Sequence, residues 1–193
     1  MPIHSYLHNT LGYTDFEIAK MKYLVVTILS EISKIVLIGL FFLYSQNLTV
    51  FLTAAFILCL LRICTCGLHF KHYFSCLLAS FLIFFIGISI LNSIQFTKLI
   101  QLSALLLCII INYYCAPVVS SFRPIPDGIK VRRAKRRSLA IITFFSMILY
   151  IFPQNQYINV GFWMIILQSI QLFAAKILKR RNQDEESFTN TDS

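Results

Sequence analysis

Phe74-Ser75-Cys76-Leu77-Leu78-Ala79-Ser80-Phe81-Leu82-Ile83-Phe84-Phe85-Ile86-Gly87-Ile88-Ser89-Ile90-Leu91-Asn92-Ser93-Ile94 is an apolar run without one charged residue. Wound as an α-helix it would be about 31 Å long, close to the roughly 30 Å hydrocarbon core of a bilayer. The whole chain has the same character. Of its 193 residues 58% are hydrophobic and 13% charged, whereas soluble domains carry about 45–50% and about 25%. The expected fold is therefore an all-α, polytopic membrane helical bundle. A net charge of +9 would suggest nucleic acid as the partner of a soluble domain. Here the basic residues gather at the ends of apolar runs, which is the signature of membrane topology. Membrane lipids, and no nucleic acid, are the expected surroundings.

Working outward from this third span, five further runs appear. The first covers 23–44 and carries Glu31 and Lys34, three apart on one helix face and able to pair. Such ionisable groups inside a span face protein or water rather than lipid. Ser45-Gln46-Asn47 reads as a turn into a second, short run at 48–61, which ends at Arg62. The fourth run covers 99–116, with Asn112 as an interhelical hydrogen-bonding candidate. Residues 117–137 form a basic loop: Pro117, Pro124, Pro126 and Asp127-Gly128 break helices, and Arg123, Lys130, Arg132, Arg133, Lys135, Arg136 and Arg137 follow or interleave. The fifth and sixth runs cover 138–152 and 157–178, the latter with Gln168 and Gln171 on one face. This gives about six spans in a membrane domain at 23–178, a disordered polar tail at 179–193, and an N-terminal amphipathic interfacial segment at 1–22. In that segment Leu7, Leu11 and Ile18 share a face. Thr14 and Glu17 have capping-box spacing, so a helix restarts at Asp15. No small-residue cleavage pattern follows the first run, so no cleaved signal peptide is expected.

Orientation follows from charge. With the N-terminus inside, the inner segments hold fifteen of the seventeen lysines and arginines; the others are Lys98 in an outer turn and Lys34 within a span. The positive-inside rule then puts both termini, residues 62–76 and the basic loop at the cytoplasmic face of a multi-pass protein.

Residues 62–76 (Arg62-Ile63-Cys64-Thr65-Cys66-Gly67-Leu68-His69-Phe70-Lys71-His72-Tyr73-Phe74-Ser75-Cys76) crowd three cysteines and two histidines between two apolar runs. Cys76 can attack a carbonyl only as thiolate, which an adjacent histidine or a helix N-terminus promotes. On an unbroken helix His72, four residues away, is the natural neighbour. His69 is seven residues away, about 10.5 Å along the axis, and reaches Cys76 only if the chain folds back, for which Gly67 supplies the freedom. Zinc ligation by this Cys/His set is a competing reading, but its spacing matches no established finger pattern; no metal or other cofactor is expected. A non-catalytic transporter or scaffold is another alternative, with Glu31, Lys34, Asn112, Gln168 and Gln171 lining a path.

The arrangement Arg62-x4-Gly67-x-His69-x6-Cys76 resembles the accessory gene regulator protein B family, whose pattern is Arg-x3-Gly-Gly-x-His-x6-Cys. Lys34, Ala116-Pro117, Pro124-Ile125 and the basic run before the fifth span extend the likeness across most of residues 15–178. The resemblance implies a cysteine endopeptidase of the bacterial cell membrane, with His69 and Cys76 catalytic and Arg62 and Gly67 supporting the motif. Its substrate would be a short amphipathic precursor with an acidic C-terminal tail, matured into a cyclic quorum-sensing peptide. Lys34, Arg132, Arg133, Arg136 and Arg137 are substrate-binding candidates, and a homodimer is a candidate assembly. Cys66 stands where the family has the first glycine of its pair.

Overall fold

A computed structural model describes residues 14–65, 73–118, 128–152 and 155–191. Among these residues there are six helices and no strand: α1 Asp15–Tyr44, α2 Leu48–Thr65, α3 Tyr73–Phe85, α4 Lys98–Cys115, α5 Gly128–Ile151 and α6 Gln156–Thr191. The expected all-α bundle is what the chain forms.

α1 begins where the sequence places it. The Thr14 hydroxyl accepts from the Glu17 amide at 3.4 Å, and the Glu17 carboxylate accepts from the Thr14 amide at 3.0 Å. This reciprocal capping box satisfies two donors that a bare helix start leaves open. Of the interfacial segment expected at 1–22, residues 1–13 lie outside the described residues, and from Asp15 onward the chain is already α1. The helix ends with Gln46 at φ 58°. There the Asn47 amide reaches the Phe42 carbonyl at 2.9 Å and the Gln46 amide reaches that of Leu43 at 3.2 Å. These are the two hydrogen bonds of a Schellman stop.

Most of α1 presents large aliphatic side chains outward, Val25, Ile28, Leu29, Ile32, Val36 and Leu40 among them, as a lipid-facing helix should. Between residues 25 and 44 only a narrow stripe faces inward, Lys34, Ile38 and Phe42 at spacings of four. Phe42 stacks on Phe51 of α2 at 5.3 Å, and Phe51 meets Phe84 of α3 edge-on at 5.0 Å. Aromatic contacts thus join the first three helices.

α6 is the central helix. Residues 159–165 are buried without interruption, so this segment has no outward face. One cluster on its flank gathers Ile38, Phe42, Phe51, Leu58, Phe84 and Met164 from α1, α2, α3 and α6. A second gathers Leu61, Leu105, Ile142, Leu149 and Phe162 from α2, α4, α5 and α6. Gly161 allows the close approach between them. A Cβ there would lie 2.5 Å from Ile57 Cδ1 and 2.7 Å from the Phe145 ring. Gly161→Val is therefore expected to destabilise the bundle by about 1–3 kcal/mol through overpacking. A melting temperature in detergent equal to that of the parent would contradict this contact.

α3 does not end as a regular helix. It passes through a π turn at Ile86–Ile90 and a 3-10 turn at Leu91–Ser93. The carbonyls left over are capped from α6: Asn159 Nδ2 donates to the Asn92 carbonyl at 2.8 Å and to that of Ile94 at 3.2 Å, and Trp163 Nε1 donates to Ile94 at 3.3 Å. Asn112 of α4 donates to Ser169 Oγ of α6 at 2.9 Å, the interhelical role its position suggested.

Among the described residues, five segments are long and apolar enough to cross a membrane: Val25–Tyr44, Leu48–Thr65, Tyr73–Ser93, Lys98–Cys115 and Gln156–Arg181. The sixth helix, α5, is the exception, because its first three turns are basic. It still packs beside α4, pinned at both ends by cations over aromatic faces: Lys98 Nζ lies 3.5 Å from the Tyr150 ring centroid, and Lys135 Nζ 3.9 Å from that of Tyr113.

Two expectations are corrected. Residues 128–137 are not loop but the first turns of α5, since beyond Gly128 the run of Lys, Arg and Ala contains only helix-compatible residues. The polar residues 179–191 continue α6 as helix rather than forming a disordered tail. No Gly or Pro follows Gly161, so nothing in the sequence stops the helix.

Candidate active site

Cys76 is the fourth residue of α3, which puts it in the first turn, near the positive end of the helix dipole. It is 7% exposed, because the inward face of α3 carries Cys76, Ser80 and Phe84 at spacings of four. Its sulfur meets a cation. Lys34 Nζ lies 3.3 Å from Cys76 Sγ, delivered by the inward stripe of α1. Lys34 is itself 4% exposed.

Lys34 also donates to Glu31 Oε1 at 2.7 Å, so the i,i+3 pairing expected from the sequence forms. The other Glu31 oxygen faces Arg62 Nη1 of α2 at 3.8 Å. Arg62 Nη2 in turn donates to Gln171 Oε1 of α6 at 3.4 Å. A polar chain therefore runs from the Cys76 sulfur through Lys34, Glu31 and Arg62 to Gln171, crossing four helices. Tyr73, the first residue of α3, closes the side towards α1: its hydroxyl is 2.8 Å from Ser33 Oγ, and its ring lies 5.6 Å from Lys34 Nζ.

The end of α2 is held just as firmly. Thr65 Oγ1 accepts from Gln168 Nε2 at 3.0 Å and donates to the Leu61 carbonyl at 2.9 Å. Its own carbonyl accepts from the Val118 amide at 3.1 Å. Val118 follows Pro117, whose bond to Ala116 is cis. Lys176 of α6 donates to the Tyr114 carbonyl of α4. The end of α2, the ends of α4 and its following segment, and the start of α5 at Lys135 thus gather at one end of the bundle, the end at which α3 starts.

The structure therefore links Cys76, Lys34 and Arg62 through Glu31 and extends the polar chain to Gln171, all five of them singled out in the sequence. Gly67, His69 and His72 lie outside the described residues, as does Cys66. Arg132, Arg133, Arg136 and Arg137 are exposed on the outer face of α5, while Ser138 on the opposite side is buried. Ser33, Thr65 and Tyr73 were not legible as partners. Their contacts cross 40 residues or more of sequence in the Ser33–Tyr73 and Thr65–Gln168 pairs, and no local pattern signals them.

A model of the Accessory gene regulator B family matches residues 2–172. A curated protein of Clostridium beijerinckii, described as AgrB-like, is 26% identical over 184 residues, covering 91% of this chain and 88% of that protein. No solved structure matches. With residues 2–172 matched by the family model, the chain belongs to the accessory gene regulator B family.

Proposed function

We propose that the protein is a cysteine endopeptidase that removes the C-terminal part of a short autoinducing-peptide precursor at the cytoplasmic face of the membrane. The observation that carries this reading is the position of Cys76. It is a buried thiol in the first turn of a membrane helix, with an ammonium group 3.3 Å from its sulfur. An ordinary packing cysteine has no use for a buried cation, whereas a nucleophilic one does.

In the proposed reaction His69 takes the Cys76 proton, and the sulfur attacks the carbonyl carbon of the scissile bond. The tetrahedral intermediate collapses with cleavage of the C–N bond. His69 returns its proton to the departing amine, and the N-terminal part of the precursor stays on Cys76 as a thioester. A cysteine or serine side chain of the precursor, giving its proton to His69, then attacks the thioester carbonyl, the Cys76 sulfur leaves and recovers that proton, and a thiolactone or lactone ring is released. Water competes for the same thioester, so a site sunk at the membrane surface favours ring closure. Backbone amide groups near the start of α3 are suited to hold the oxyanion.

The exposed arginines of α5 serve the substrate. Arg132, Arg133, Arg136 and Arg137 form a cationic face near the end of the bundle at which α3 starts, where an acidic precursor tail would approach. Replacing all four by glutamine is expected to reduce processing about tenfold or more, with the effect weakening at high salt. Unchanged processing by a variant that still inserts would reject the docking role.

The direct test is co-expression with a candidate amphipathic precursor, followed by mass analysis. The expected products are a released C-terminal peptide and an N-terminal fragment that is one water lighter than its linear acid. An intact precursor beside a folded, inserted protein would overturn the reading.

A further inference from the structure

The cluster at Cys76 contains two cations, Lys34 and Arg62, and one carboxylate, Glu31; Lys34 and Cys76 are buried, whereas Glu31 and Arg62 are half-buried. With Cys76 as a neutral thiol the four groups carry a net charge of +1. With the sulfur ionised they sum to zero. Uncompensated charge is costly where water is scarce, and Lys34, the member in contact with sulfur, is 4% exposed. We propose that Lys34 is a catalytic residue whose ammonium group stabilises the negative charge of the Cys76 sulfur as its proton passes to His69, with Glu31 and Arg62 as positioning residues that set how much of the Lys34 charge reaches the sulfur. This deepens the endopeptidase reading and rests on it.

The geometry assigns opposite roles to the two members of the ion pair. Lys34 attracts negative charge to the sulfur directly. Glu31 competes with the sulfur for the same ammonium, at 2.7 Å against 3.3 Å, and its own charge repels a thiolate. Arg62 faces the other carboxylate oxygen at 3.8 Å and draws Glu31 away from Lys34. Gln171 anchors the guanidinium at 3.4 Å. Lys34→Met would leave the cluster at zero with a thiol and −1 with a thiolate. Glu31→Gln would leave it at +2 with a thiol and +1 with a thiolate. The first change disfavours ionisation of the sulfur and the second favours it. Among the described residues, the other titratable groups near the cluster are the Tyr73 phenol, committed to Ser33, and Cys59 of α2, one turn before Arg62.

The experiment is alkylation of Cys76 by N-ethylmaleimide in membranes holding the full chain, read by mass analysis of the peptide that contains it. At neutral pH Lys34→Met is expected to slow the reaction about tenfold or more and to move its pH profile upward. Glu31→Gln is expected to speed the reaction and move the profile downward. Lys34→Arg, which keeps the cation, is expected to recover most of the parent rate. A structural role for the pair predicts a different pattern, in which both Lys34→Met and Glu31→Gln change the rate in the same direction through altered packing. That pattern, or an unchanged rate in Lys34→Met, overturns the proposal. If Lys34→Met fails to insert, the sign of the Glu31→Gln effect decides alone. The readout uses no precursor, so it separates two failures. Cleavage that survives Cys76→Ala removes the endopeptidase reading. Cleavage lost in Cys76→Ala, together with alkylation indifferent to Lys34, removes only the role of Lys34.

Discussion

Cys76→Ala is expected to abolish precursor cleavage, by at least about 10³-fold, while the protein still inserts and folds. The loss follows from the proposed chemistry. Without the sulfur there is no acyl carrier, and residues that act as one catalytic unit lose nearly everything when one is removed. The structural cost is small, because the change deletes a single buried atom beside Lys34 and leaves Glu31 to hold that ammonium. Processing is measured as the ratio of precursor to released peptide, and folding as the melting temperature in detergent. Cleavage retained in the alanine variant would show that the sulfur is not the nucleophile.

The second large effect concerns the base. His69→Ala is expected to lower the rate by about 10²–10⁴-fold, the usual contribution of a positioned general acid–base group, and His72→Ala to lower it far less. Spacing on a continuous helix favours His72, four residues from Cys76. His69 and His72 both lie outside the described residues, so geometry does not choose between them. That leaves the assignment to the family pattern, which falls on His69. Rates for the two single variants, compared at saturating precursor, check the choice. A severe loss in His72→Ala with near-normal activity in His69→Ala would reverse it.

Sequence patterns were most informative where a single helix decides the outcome. The charge-free run at 74–94, the capping box at Thr14 and Glu17 and the spacing of Glu31 and Lys34 are all local, and each reappears in the structure. So does Asn112, because a lone amide in an apolar run has few ways to be satisfied other than a neighbouring helix. The pairing across helices was not readable in this way. Nothing in a hydropathy pattern says that Lys34 reaches a sulfur 42 residues away, or that Thr65 is gripped by Gln168 of the last helix. These contacts depend on how lipid-facing and inward stripes sort when helices pack, and small residues such as Gly161 control that sorting. The boundaries of α5 and α6 differed for a related reason. Charge was read as the end of a span, but lysines, arginines and glutamates are good helix formers, so the helices continue where the membrane run stops.

The arginine face of α5 gains meaning from the same comparison. In a loop, its four exposed arginines would scatter their charge; on the first turns of a helix they share one side, opposite the buried Ser138. A fixed cationic face is better suited to an extended acidic peptide than a mobile basic segment, because less side-chain and backbone freedom is lost on binding.

The central claim is that acyl groups pass through Cys76. It is tested most directly with a precursor whose ring-closing cysteine or serine is replaced by alanine, so that the thioester has no internal acceptor. After mixing with the membrane-embedded enzyme and rapid acid quench, the intact mass of the protein is measured. The expected result is a population heavier by the N-terminal part of the precursor less one water, removed by hydroxylamine, mapped to Cys76 and absent from Cys76→Ala. Release of the C-terminal peptide with no adduct on Cys76, or an adduct on another residue, would contradict the account.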